Sequence, residues 1–132
     1  MESVTQQASA SKKMLWAGRV VSALAVLALL FSGVLKVLKL DDVVKEFGRL
    51  GYESDVILGI GIVEIACALL YAFPRTAMLG AVLLTGYLGG ATATHVRIGD
   101  SYYSPIIVGV LVWLGLFLRE PRLRVLLPLR KP

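Results

Sequence analysis

The sequence predicts an all-α integral membrane protein: a four-transmembrane-helix bundle with a short interfacial helix in its first loop. Three observations predict it. Apolar residues make up 57% of the 132 positions and charged ones only 17%, against about 45–50% and about 25% for soluble domains; the mean hydropathy is +0.76. The apolar residues fall in long continuous runs, which favours helices over alternating strands. The basic residues collect at one end of those runs. A chain this short has too little interior to hide so much apolar surface from water, which excludes disorder and nucleic-acid binding and argues against an ordinary soluble enzyme.

The first run extends from Leu15 to Leu38, the second from Val56 to Phe73, the third from Thr76 to Thr94 and the fourth from Tyr103 to Leu118. At about 1.5 Å per residue each reaches across most or all of a hydrocarbon core of about 30 Å. Pro74 and the Gly99-Asp100 pair mark turns between runs. Lys12 and Lys13 before the first run, and Ala23-Leu24-Ala25 within it, resemble parts of a signal peptide. The run continues well beyond that site, so a retained helix is expected.

Lys12, Lys13, Arg19, Arg75, Arg119, Arg122, Arg124, Arg130 and Lys131 lie on one side, accompanied only by Glu2 and Glu120 as acids. The positive-inside rule places both termini in the cytoplasm. The expected division is a cytoplasmic tail over 1–14, a transmembrane domain over 15–119 and a basic cytoplasmic tail over 120–132. Trp16 and Trp113 are candidate interfacial anchors, with Tyr102 and Tyr103 at the outer surface. In the first loop, Val43, Val44, Phe47 and Leu50 share one helical face. A short amphipathic helix capped by Asp41 or Asp42 and ending at Gly51 is expected there.

Glu64 is the most informative residue. It lies about 12 Å into the second run, where an ionised carboxylate costs about 2.5–3.5 kcal/mol unless a cation reaches it. Either it locks helices together through hydrogen bonds, or it handles a ligand, an ion or a proton. At equal depth on the third run stands Tyr87, which shares an arc with Ala91, Thr94 and His95. Ser32, Gly33 and Lys36 share a stripe on the first run, and Glu64, Cys67 and Tyr71 form another on the second. If these faces converge they line a polar cleft, with Glu64, Lys36, Tyr87, His95 and Ser32 as ligand-binding or proton-handling candidates.

Each candidate also has a structural reading. Lys36 can snorkel to headgroups instead of pairing with Glu64. His95 can cap a helix, the Tyr87 hydroxyl can be satisfied in packing, and Cys67 can be a small buried apolar residue. Gly86 and Gly90, like Gly89 and Ala93, have the small-xxx-small spacing that lets membrane helices approach closely, within the chain or in a homo-oligomer. A single cysteine excludes an intrachain disulfide, paired-thiol chemistry and a structural zinc site. No metal and no covalently bound cofactor are expected.

Several strings resemble the DoxX-like family of small bacterial membrane proteins: Phe31-Ser32-Gly33-Val34-Leu35-Lys36, Phe47-Gly48-Arg49-Leu50-Gly51-Tyr52, Gly61-Ile62-Val63-Glu64, Pro74-Arg75, and Gly89-Gly90 through Thr94-His95-Val96-Arg97. The resemblance runs from Val20 to Arg119; Glu53 departs from it, because the family often has proline after the tyrosine. It implies a four-helix bundle in a bacterial inner (plasma) membrane. The wider DoxX group includes a subunit associated with thiosulfate:quinone oxidoreduction, members linked to oxidative-stress defence and a distant animal relative that assists receptor assembly. Thiosulfate oxidation is not carried onto this chain.

Three functions are therefore weighed. In the first, a redox-associated subunit binds quinone or a similar lipophilic molecule and relies on a membrane or redox partner protein for electrons. In the second, a proton-coupled transporter uses Glu64, although small multidrug transporters carry their glutamate in the first helix. In the third, an assembly factor or scaffold packs on other membrane proteins through its glycine faces.

Overall fold

The computed structural model describes residues 2–126, and every element among them is helical. In chain order these are α1 (Glu2–Val37), α2 (Asp41–Arg49), α3 (Ser54–Ala72), α4 (Ala77–Arg97), α5 (Tyr103–Arg119) and α6 (Pro121–Leu126). Arg130 and Lys131, part of the expected basic tail, lie outside the described residues.

Three segments, Lys12–Val37, Ser54–Ala72 and Ala77–Arg97, are long and apolar enough to cross a membrane, and α5 is a shorter apolar helix. Helical geometry in α1 extends back to Glu2, further than the apolar run, because no glycine or proline interrupts the chain before Gly18. At its other end, Lys39 takes a left-handed φ of 51° and turns the chain toward α2. Phe73 stops α3: it is extended at φ −84° and ψ 130°, as the following Pro74 requires.

Each long helix buries one stripe. On α1 the stripe is Gly18, Ser22, Ala25, Leu29 and Gly33; on α3 it is Ile57, Gly61, Glu64, Ala68 and Tyr71. These spacings of three and four residues follow one face of a helix. Outward faces carry large apolar side chains: Trp16 is 65% exposed, Leu27 64% and Phe31 68%. Apolar patches on this scale mark contact with lipid or with other proteins.

α1 packs against α3 and α5, and α4 packs against the same two, so α1 and α4 stand at opposite corners. Glycines set the closest approaches. A Cβ on Gly61 would lie 2.8 Å from the Lys36 Cβ and 3.0 Å from the Gly33 carbonyl oxygen, and a Cβ on Gly18 would lie 2.9 Å from the Gly115 carbonyl oxygen. Within this chain the close packing expected at Gly86, Gly89 and Gly90 does not occur, for nothing lies within 4 Å of a Cβ built on any of them. The physical reason is azimuthal: the buried face of α4 is Ala77, Gly80, Ala81, Leu84 and Leu88, which turns those three glycines away from α3 and α5.

Where α1, α3 and α5 meet, the buried Tyr71 hydroxyl donates to the Val112 carbonyl at 2.6 Å and lies 3.0 Å from the Ser22 hydroxyl. Arg119 stacks on the Tyr71 ring and donates to its carbonyl at 2.7 Å. This cluster ties three helices together at the end of the bundle opposite α2, although the buried Arg119 Nε has no hydrogen-bond partner among the described residues.

Candidate functional site

The other end holds a polar cluster built on the Gly33–Gly61 approach. That contact draws α1 and α3 together one turn before Lys36, so the ammonium reaches the only acidic side chain on the buried α3 stripe. Lys36 Nζ lies 2.6 Å from Glu64 Oε2, with the two side chains 12% and 3% exposed. The same ammonium donates to Ser32 Oγ at 2.5 Å, and Ser32 donates to Glu64 Oε2 at 3.3 Å. Of the two readings of Lys36, pairing describes the structure. A buried carboxylate is tolerable when a cation and a hydroxyl both reach it. The third ammonium hydrogen has no oxygen acceptor in this triad, and the Phe47 ring centroid lies 5.9 Å from Nζ.

Tyr87 on α4 lies within electrostatic reach of Glu64 across the α3–α4 contact. Lys36 and Tyr87 also line a cavity of about 380 Å³, together with Ala91, Thr94 and His95 of α4. The faces read from spacing on α1, α3 and α4 thus meet. Glu64 stands behind the wall instead of lining it, and Ser32 opens onto a smaller neighbouring hollow shared with Lys36 and Phe47. His95 is in the cavity wall but not in the Lys36–Glu64–Ser32 triad; its Nδ1 lies 2.7 Å from the Ala91 carbonyl oxygen. When Nδ1 carries the proton, that bond leaves Nε2 as an acceptor.

The sequence reading missed the roof. Glu46, Phe47 and Leu50 of the α2 segment, with Tyr52, close the cavity from above, and Ile60 of α3 and Gly86 and Gly90 of α4 complete its walls. The apolar face of α2 was legible in its spacing, but it points to the cavity as well as to an interface. Neither Asp41 nor Asp42 caps α2: Leu40 holds the N-cap position with no side-chain bond. The two aspartates stand in the first turn, where negative charge favours a helix.

Three contacts fasten the roof. Arg97 donates to the Leu50 carbonyl at 2.5 Å and fits against Gly51, whose φ of 93° a side chain would strain. The Tyr52 and Thr94 hydroxyls lie 3.0 Å apart. Arg49 donates to Glu46 and Asp100, the latter at 2.6 Å, joining α2 to the turn before α5. Glu46, His95 and Asp100 bring donor atoms within 4.8 Å of one another, and Arg49 supplies the cation between the two carboxylates.

The bond from Arg49 holds the Glu46 and Asp100 carboxyls below the usual carboxylate range. Because both are lowered by folding, their contribution is complete above that range and is lost as pH falls through the lowered values. The protection of backbone amides over residues 40–52, referred to their intrinsic exchange rate at each pH, is expected to fall below about pH 4. Arg49→Gln is expected to show the lower protection already at pH 7 and to flatten the pH dependence.

A larger groove of about 710 Å³ lies between α4 and α5. Its lining is almost wholly apolar, and the Trp113 indole donates to Thr85 Oγ1 there at 2.7 Å. Trp113 is thus held along the bundle, and of these two spaces the cavity beneath α2 is the one that joins apolar walls to ionisable groups.

No curated relative and no solved structure matches the chain. The model of the DoxX-like family matches residues 20–117, about three quarters of the chain, and covers α2, α3, α4 and every residue of the cavity and its ion pair. On that match and its lipid-suited helices, the chain belongs to the DoxX-like family and is a multi-pass helical membrane protein.

Proposed function

We propose that this protein is a four-transmembrane-helix bundle of a bacterial inner membrane, with both termini cytoplasmic, that binds quinone or a similar lipophilic molecule beneath α2 as a redox-associated subunit. The observation that carries the reading is the cavity itself. Its walls are mostly apolar, and Lys36, Tyr87 and His95 supply a few convergent polar groups, the usual composition of a small-molecule site. At 17 residues α5 is about 26 Å long, enough to serve as the fourth span with modest thinning of the bilayer.

A carbonyl oxygen in the cavity is within the chemistry of Lys36, whose ammonium has a hydrogen to give beyond Ser32 and Glu64. Glu64, held behind Lys36, is placed to respond to a ligand through the ammonium they share, since a bond from Lys36 to the ligand changes its bond to the carboxylate. The electrons come from a partner protein or a diffusible donor. In bilayers, infrared difference spectra on adding a short-chain ubiquinone are expected to show a carboxyl band that shifts and that Glu64→Gln removes. A carboxyl signal indifferent to quinone overturns the reading and favours a structural glutamate.

The buried pair also bears on proton-coupled transport. A glutamate bonded to lysine at 2.6 Å must first release that cation to exchange protons, so the ligand-binding reading is preferred. An efflux activity lost in Glu64→Gln would favour transport.

A further inference from the structure

We infer that the cavity is a slot for a planar ring, aromatic or quinonoid and carrying a carbonyl or hydroxyl oxygen, and that Gly86 and Gly90 determine which ligands enter it. The inference rests on the proposal that the cavity binds a lipophilic molecule, and it adds the shape of the group held there.

Glycine in a helix costs about 1 kcal/mol relative to alanine. At Gly18, Gly33, Gly61, Gly80 and Gly115 close packing offsets it, whereas a Cβ on Gly48, Gly59, Gly86, Gly89 or Gly90 would meet nothing within 4 Å, and of these five Gly86 and Gly90 line the cavity. On the same helix, a Cβ on Gly80 would run into the Tyr71 backbone, 2.5 Å from its Cα. Gly86 and Gly90 meet nothing within 4 Å, are exposed, and line the cavity. Four residues apart, they lie one above the other on a single face. Side chains there would occupy the cavity instead of clashing with the protein.

The wall they form is bare backbone about one turn long, flat enough for close approach by a ring. Facing elements supply complementary surfaces. Phe47 and Tyr52, with ring centroids 5.7 Å apart and planes tilted by 51°, belong to the same cavity. Aromatic faces and edges favour another ring over a flexible chain of equal area. Lys36 and Tyr87, also in the wall, supply donors for an oxygen on that ring. A volume of about 380 Å³ is near the low end for small-molecule sites, so it suits a headgroup of one or two rings. Exposure of both glycines leaves that wall open for a hydrocarbon tail to leave sideways.

The test compares two carbonyl compounds of different shape, menadione and the straight-chain ketone 2-undecanone, by equilibrium dialysis against the full chain in nanodiscs. Gly86→Leu and Gly90→Leu are each expected to weaken menadione at least tenfold while leaving 2-undecanone within threefold. Gly59→Leu, which also adds its side chain to open space but away from the cavity lining, is expected to change neither. Thermal unfolding of each variant checks that the bundle persists. If the glycine variants weaken both compounds equally, or neither, the slot is overturned while the binding site stands. If the unaltered protein binds neither compound, the proposed ligand-binding function falls with it.

Discussion

Replacing Lys36 by leucine is expected to lower the unfolding temperature in detergent by on the order of 10 °C, and replacing Glu64 by leucine to do somewhat less. Each change strands the other charge in a site where the carboxylate is 3% and the lysine 12% exposed. Removing one partner of a buried pair typically costs about 3–5 kcal/mol. Lysine can offset part of this by bending toward the headgroups, so Lys36 stranded alone should cost less than Glu64 stranded alone. The double variant Lys36→Leu/Glu64→Leu is expected to recover most of the lost stability, because two apolar side chains then fill the space. It is not expected to recover the proposed quinone binding, for which the Lys36 ammonium is the proposed donor. Thermal unfolding of all four proteins, with ligand titration of the double variant, separates the two roles. A double variant that binds quinone as tightly as the unaltered protein would sink the assignment of Lys36 to the ligand.

Gly61→Leu is expected to be among the most damaging single substitutions, and Gly59→Leu, two residues away on the same helix, to be almost silent. A Cβ at Gly61 would meet the Gly33 carbonyl oxygen at 3.0 Å and the Val37 backbone nitrogen at 3.1 Å. Backbone atoms of α1 cannot step aside as a side-chain tip can, so α1 and α3 must separate. Overpacking a tight interface costs about 1–3 kcal/mol and more where backbone is the obstacle. Separation would also withdraw Lys36 from Glu64, so ligand binding should fall with stability. A Cβ at Gly59 has nothing within 4 Å, and leucine there adds apolar surface on an outward face. Yield of monodisperse protein and its unfolding temperature read the contrast; equal behaviour of the two variants would mean that α1 and α3 do not meet at Gly61.

The five candidate residues differ in how far the sequence could carry them. Glu64 was legible from depth alone, since an acidic residue in the middle of an apolar run has few bland explanations. Ser32 and Lys36 were legible as a stripe, and Tyr87 and His95 as an arc, because spacing along one helix fixes which side chains share a face. Whether Lys36 turns to Glu64 or to the headgroups depends on how α1 is rotated against α3, and no spacing within α1 contains that angle. His95 shows the same limit: shared depth and arc brought it to the cavity, while its nearest partner is the Ala91 carbonyl on its own helix.

Glycine made the difference plainest. Small-xxx-small spacing pointed to Gly86 and Gly90, yet the close contacts within the chain fall on Gly18 with Gly115, on Gly33 with Gly61 and on Gly80 with Tyr71. Local spacing says that a face is smooth; only a neighbouring helix says whether anything lies against it.

The sequence by itself determined what is additive along the chain. Apolar runs place the helices, prolines and left-handed turns end them, and the distribution of Lys and Arg orients the expected spans. Tertiary structure alone decided what depends on two elements at once: the Lys36–Glu64 bond, the α2 roof held by Arg97 and Arg49, and the empty space beside Gly86 and Gly90. Those features are set by the rotation and separation of neighbouring helices, which arise from packing the whole bundle together and are written in no single segment.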